Sequence, residues 1–336
     1  MRNILCVTLI ALLGGCTSTS VTEKYQDKRN DIINVKDKVI EFETGNVLIG
    51  SVSRLYMSNK CLLIADHKSV DKQIHIFNKN DFSYLTSIGN FGEGPEEITV
   101  MGCLAIDEAH HQLYVSDHAK QKIFSYDMDS VMVDSLYKPQ VKTAMNETLF
   151  PSEYQYINDT LSIAVLIKPT STSTFNQFLG RWNMNTGEMI PMKYTHPDIQ
   201  KKRITFAASE KAGIYVECYT RHDLMTICSL DGELLYNIYG PDWDGGNGNK
   251  LQSFGTVMIG NDKIFVSYCG EDYARDSFPT KILVFDLEGN YLKTLETGYK
   301  ISDCCYDSFN NRIILSLNDV VQFAYLDIDL SFASKV

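Results

Sequence analysis

Residues 256–268 read TVMIGNDKIFVSY. An apolar run breaks at Gly-Asn-Asp and resumes as a β-branched and aromatic pentad, which is the signature of a tight hairpin. The pentad IFVSY (264–268) has five counterparts: LLIAD (62–66), LYVSD (113–117), LSIAV (161–165), IYVEC (214–218) and IILSL (313–317). Their starts lie 48 to 53 residues apart. Self-similarity at a period of 20–50 residues points to a repeat architecture before any local reading does.

Working outward, each pentad follows another strand and a short turn, as in CLAIDEAHHQ before LYVSD and FAASEKAG before IYVEC. Five pentads are followed by a third strand and polar turn: IHIFNKND, IFSYDMDS, GRWNMNTGE, TICSLDGE and ILVFDLEGN. A fourth strand is expected at YLTSIG, VMVDSLY, MIPMKY, LLYNIYG and YLKTLETG. The turns LDGE, LEGN and NTGE put glycine where a hairpin wants a left-handed residue. Four antiparallel strands, six times over, predict an all-β fold, a six-bladed β-propeller. The rival, a right-handed β-helix, has rungs much shorter than fifty residues. Too little chain follows IILSL and VVQFAYLDI for a fourth strand, so Lys38–Glu43 (KVIEFE) is expected to supply it, an N-terminal strand closing the last blade.

The first twenty residues are MRNILCVTLIALLGGCTSTS. Arg2 and the apolar run Ile4–Leu13, too short to span a bilayer, read as an export signal. Leu12-Leu13-Gly14-Gly15-Cys16 resembles a bacterial lipobox, which implies lipidation of Cys16 and a membrane anchor. The expected organisation is a signal peptide over 1–15, a polar flexible tether over 16–36 and the propeller over 37–336. No acidic run follows Cys16, which favours the periplasmic side of the outer membrane.

Ser87–Thr99 reads SIGNFGEGPEEIT and falls between the fourth strand of one unit and the first strand of the next. Without a following helix or a Lys-Ser/Thr pair, it is a blade-to-blade corner rather than a phosphate loop. Phe91, Gly92, Gly94, Pro95 and Glu97 resemble the FGxGPGE-like corner of exported six-bladed propeller lipoproteins, a TolB-like or NHL-like group of gut Gram-negative bacteria, with Glu96 replacing the usual glycine. The resemblance implies a propeller, a lipid anchor and an envelope location, and no established reaction.

The formal net charge of −11 disfavours nucleic acid, whose binding needs a basic face. Seven cysteines follow Cys16, without a CxxC pair, so neither a full disulfide framework nor a zinc ribbon is indicated. One disulfide, Cys218–Cys228, remains open across a hairpin. HExxH and GxSxG are absent.

Strand order places second-to-third loops and blade-to-blade corners on one face. Residues 137–153, 168–177, 240–250 and 269–281 and the corner after Ser87 all fall there, so that face is expected to bind. Its candidates are Glu93, Glu96, Glu97, Asp117, His118, Asp242, Trp243, Asp244, Tyr273 and Arg275. The leading expectation is a lipid-anchored envelope propeller that binds a ligand, or a protein, peptide or glycan partner, without catalysis and without a cofactor. Asp242–Asn249 has a calcium-loop flavour but lacks the bidentate glutamate. The alternative is a metal-dependent hydrolase, lactonase or lyase using axial carboxylates among Asp66, Asp117, Glu217 and Asp303.

Overall fold

The structure, a computed structural model, describes residues 22–134, 136–199, 202–248, 250–275 and 277–329. It is a six-bladed β-propeller. The innermost strands of blades 1 to 6 are Ser53–Met57, Met101–Asp107, Phe150–Asn158, Ile204–Ser209, Leu251–Gly260 and Ile301–Asp307. The repeated pentads are the second strands: Cys61–Asp66, Gln112–Asp117, Leu161–Pro169, Ile214–Tyr219, Lys263–Asp272 and Arg312–Leu317. Each blade's own strands pair antiparallel in chain order.

The pentads are apolar on both sides because a blade has two neighbours. Successive side chains on a strand point to opposite faces. In blade 1, Leu63 and Ala65 pack against blade 2 with Leu113 and Val115. Leu62 and Ile64 between them pack against blade 6 with Ile314 and Phe323. The same division recurs around the ring, with one buried apolar cluster between each pair of adjacent blades. The core is thus six separate interfaces, and each propeller blade is stable only between two others.

The N-terminal segment does more than close the ring. β1 (Glu23–Tyr25) runs parallel to the outer strand Leu234–Tyr239 of blade 4. β2 (Ile32–Asn34) runs parallel to the outer strand Tyr291–Glu296 of blade 5. β3 (Ile40–Glu41) pairs antiparallel with Phe323–Asp327 and completes blade 6, as expected. Residues 22–36 therefore do not match the expected tether. They form a strap whose backbone hydrogen bonds require no apolar pattern, so a polar composition hid it. Between β1 and β2, the Arg29 guanidinium meets Asp223 at 2.8 Å, with both side chains buried. It lies over the rings of Phe254, Tyr268 and Phe285 at 5.5 to 5.7 Å. Cys16, the signal peptide and residues 17–21 lie outside the described residues.

Blade 2 departs from the expected pattern. The segment VMVDSLY, read as its fourth strand, begins inside α1 (Met128–Val133). Asp127 caps this helix by accepting the Ser130 N–H at 2.7 Å, and Val131 buries between blades 1 and 2. The fourth strand is Gln140–Ala144, an exposed and polar edge without the alternation that marks a half-buried strand. Residues 137–153 are accordingly part strand and not one long loop. The described cysteines are all free and buried. Cys218 faces Met225 in the ladder and Cys228 faces Tyr215, a register that keeps the two sulfurs from pairing.

Candidate functional site at the propeller axis

The corner after Ser87 is held from within. The Lys120 ammonium donates to the carbonyls of Gly94 and Glu97 at 2.6 Å and of Gly92 at 3.3 Å. The Glu97 carboxylate accepts the Gly94 N–H at 2.8 Å. A Cβ on Gly92 would collide with that carboxylate, which explains the glycine. Glu97 is thus a strut of the corner. Glu96 makes an exposed ion pair with Lys138 at 2.7 Å, and Glu93 is exposed.

The other loop candidates are also largely engaged with the fold. Asp117 is fully buried and accepts backbone N–H groups from Thr99, Val100, Ala119 and Lys120 at 2.8 to 3.2 Å. It pins the corner and has no surface to offer a ligand, which corrects its assignment to the binding set. Asp66 plays the same part in blade 1, accepting from Gly50 and Lys68. His118 packs near Phe150, and burial pulls its pKa below the usual histidine value. Trp243 sits in an aromatic group with His196, His222 and Tyr239, at centroid distances of 5.0 to 5.9 Å. It closes the interface of blades 3 and 4 and does not stand out as a platform. Asp242 reaches the Tyr268 hydroxyl at 3.4 Å, and Asp244 accepts the Gly248 N–H at 2.7 Å. Neither belongs to a group of three His, Cys, Asp or Glu side chains close enough to share an ion. Among the described residues, the one such group is Asp107, His110 and Asp159 on the short-turn face. Tyr273 is half-exposed beneath the Arg221 guanidinium, and Arg275 pairs with Glu271 at 3.2 Å. The structure therefore spreads the loop candidates over several small local assemblies. The connection bearing α1 also lies on the opposite face, so the long connections are not confined to one side.

What converges instead is the axis. A cavity of about 340 Å³ is lined by all six innermost strands. Its first layer takes one residue from each blade: Arg54, Cys103, Glu153, Thr205, Thr256 and Asp303. These strands begin at the long-loop face, so this layer sits nearer that face. Arg54 donates to Glu153 at 2.8 Å across the axis. Asp303 accepts the Leu55 N–H at 2.8 Å and the Thr256 hydroxyl at 2.7 Å. Burial raises the Asp303 pKa above the ordinary carboxylate range, against the pull of Arg54. Burial also pushes the Cys103 thiol up to about 12. For Arg54, burial works to lower the pKa, but Glu153, Tyr56 and Asp303 together outweigh it and the guanidinium stays charged. Of the four carboxylates expected at the axis, only Asp303 reaches it. Glu217 is tied to Lys202 at 2.8 Å, with both side chains buried.

Sequence reasoning missed Arg54, Cys103, Glu153, Thr205 and Thr256 as members of this layer. A signal was present: each first-layer residue stands eight to ten positions before its blade's pentad. Reading down the aligned repeats at that offset gives the whole ring.

Among the described residues, no helix is long and apolar enough to cross a membrane. The family model DUF5128, described as a 6-bladed beta-propeller, matches residues 17–176. No curated protein is matched by the sequence. Many solved structures are similar in fold, among them the following three. A Bacteroides vulgatus member of the DUF4221 family is 10% identical, with 89% of this chain and 98% of that one covered and a TM-score of 0.58. A Bacteroides fragilis protein provisionally described as exported is 13% identical over 88% of this chain and 87% of that one, with a TM-score of 0.57. The Cps50 (Swd1) propeller domain of Myceliophthora thermophila is 9% identical over 86% and 99%, with a TM-score of 0.54. At these identities the likeness is one of fold, and the chain is a six-bladed β-propeller.

Proposed function

We propose that this chain is a lipid-anchored envelope protein that binds a small polar ligand bearing both charges in its axial cavity, from the long-loop side. The observation that carries the reading is the first layer of the cavity. An ion pair whose side chains are 41% and 40% exposed to the cavity, and the more buried carboxylate of Asp303, stand where apolar side chains would plug the ring. Desolvating charges is expensive, and an apolar replacement is often neutral or stabilising. Arg54 offers a planar fork to a ligand carboxylate or phosphate. Glu153 and Asp303 offer acceptors to an amine, and the Thr205 and Thr256 hydroxyls adapt to either. The anchor and location rest on Leu12–Cys16 and on the Bacteroides fragilis protein of similar fold that is provisionally described as exported.

The test is a thermal-shift screen of free amino acids, dipeptides and amino sugars, followed by calorimetry on the best binder. Arg54→Met should weaken that binder at least tenfold, whereas Trp243→Ala should leave it unchanged. A panel without a binder, or a binder indifferent to Arg54→Met, overturns the axial reading. The anchor is tested separately, by loss of palmitate labelling in Cys16→Ala.

A further inference from the structure

A second cavity, of about 500 Å³, opens on the short-turn face between blades 1 and 2. It exists because α1 replaces the usual tight turn after the third strand of blade 2. Met128 and Met132 are four residues apart, share one side of that helix and form one wall. Leu85, from the outer strand of blade 1, lines the cavity with them. Leu63 and Leu113 make a floor with no exposure. Methionine walls adapt to the shape of what they cover, and a cleft this apolar is costly to leave to water.

The rim carries charge of one prevailing sign. Glu108, Asp129 and the buried Asp107 line the cleft with one lysine, Lys60, and with His111. Glu108 spans the cleft by accepting the Asn59 N–H at 2.7 Å, and Asp129 orients His111 at 2.7 Å. Both carboxylates line the blade 2 side of the cleft, Glu108 in the turn after the innermost strand and Asp129 in α1. We infer that this cleft is a second binding site, for an amphiphilic organic cation whose apolar body lies along the methionines and whose charged head sits between Glu108 and Asp129. Its lining meets that of the axial cavity only at Ile106 and includes no residue of the axial first layer.

The probes are dodecyltrimethylammonium and dodecyl sulfate, both well below their micellar concentrations, titrated by calorimetry into the full protein. The cation should bind at least tenfold more tightly than the sulfate. Met132→Trp, which fills the cleft from a half-exposed helix position, should weaken the cation at least tenfold. Glu108→Gln with Asp129→Asn keeps the hydrogen bonds and should erase the preference for the cation while retaining apolar affinity. An unchanged thermal midpoint verifies that both variants fold. Equal affinity for the two amphiphiles, no binding of the cation, or indifference to both variants overturns the site. So does a concentration-dependent dimer, seen by sedimentation, that Met132→Trp abolishes, since the cleft would then be an interface between copies.

Discussion

Arg29 is the most informative single position outside the cavities. Its guanidinium and the Asp223 carboxylate are 6% and 0% exposed, so Arg29→Met leaves a buried carboxylate without its counter-charge. Asp223 keeps only the Asp242 N–H at 3.2 Å and the Tyr268 hydroxyl at 3.4 Å. Breaking a buried pair from one side costs roughly 3–5 kcal/mol. For a chain of this size, ~3 kcal/mol corresponds to a fall in melting temperature of about 5 °C. The strap has a second way to respond: it can lift from blades 4 and 5 so that Asp223 meets water. That response shows as faster tryptic cleavage after Lys24 and Lys28, measured by mass spectrometry over time. The expected result is a lower melting temperature together with faster cleavage at those two sites. Adding Asp223→Asn to Arg29→Met removes the orphaned charge and should recover more than half of the loss. If Arg29→Met melts within 1 °C of the parent and is cleaved no faster, the strap is not held by this pair.

Three further outcomes are expected of the folded protein. Lys120→Met takes a donor from three carbonyls, of which Gly92 keeps the Thr99 hydroxyl and Gly94 keeps the Glu97 N–H, and should cost about 1–3 kcal/mol; hydrogen exchange should quicken in residues 92–98 and be unchanged in blades 4 and 5. Burial pulls the pKa values of His67, His75, His118, His196 and His222 down. Such groups stabilise the fold above the unfolded histidine pKa of about 6.5 and lose that contribution as pH falls below it, by at most ~1.4 kcal/mol per pH unit each. The raised pKa of His110, beside Asp107, opposes this weakly from an exposed position. The urea midpoint should therefore drop between pH 7 and pH 5, and a flat profile would contradict the burial of these rings. Asp303 has a raised pKa, so its ionisation penalises the fold increasingly as pH rises above the carboxylate range. Asp303→Asn should gain stability relative to the parent on going from pH 3 to pH 7, as read from paired urea titrations.

The repeated pentads were legible because a central strand wedged between two blades must be apolar on both sides. That demand survives in the residues at every repeat. The corner after Ser87 was legible as a corner from its glycines and proline, and its internal lysine was not, since Lys120 is distant in sequence. The strap and the outer strand of blade 2 escaped notice for one reason. Edge strands pair through backbone groups, and Glu23–Tyr25 or Gln140–Ala144 need no hydrophobic alternation to do so. The axial ring was missed because each blade contributes one unremarkable residue, and only superposition of the repeats makes Arg54, Glu153 and Asp303 members of one set. The loop candidates were misjudged in the opposite sense. Asp117 and Trp243 looked free because polar and aromatic loop residues usually are, whereas here they fasten the loops themselves.

The strap also sets a leash. Seven peptide steps separate Cys16 from Glu23, and seven extended residues reach at most about 25 Å. A lipid on Cys16 would hold the outer edge of blade 4 within that distance of the bilayer surface, where twenty loose residues would let the ring tumble freely. Blade 1 lies diametrically across the ring, so the methionine-walled cleft beside it would sit on the part of the disc farthest from that tether.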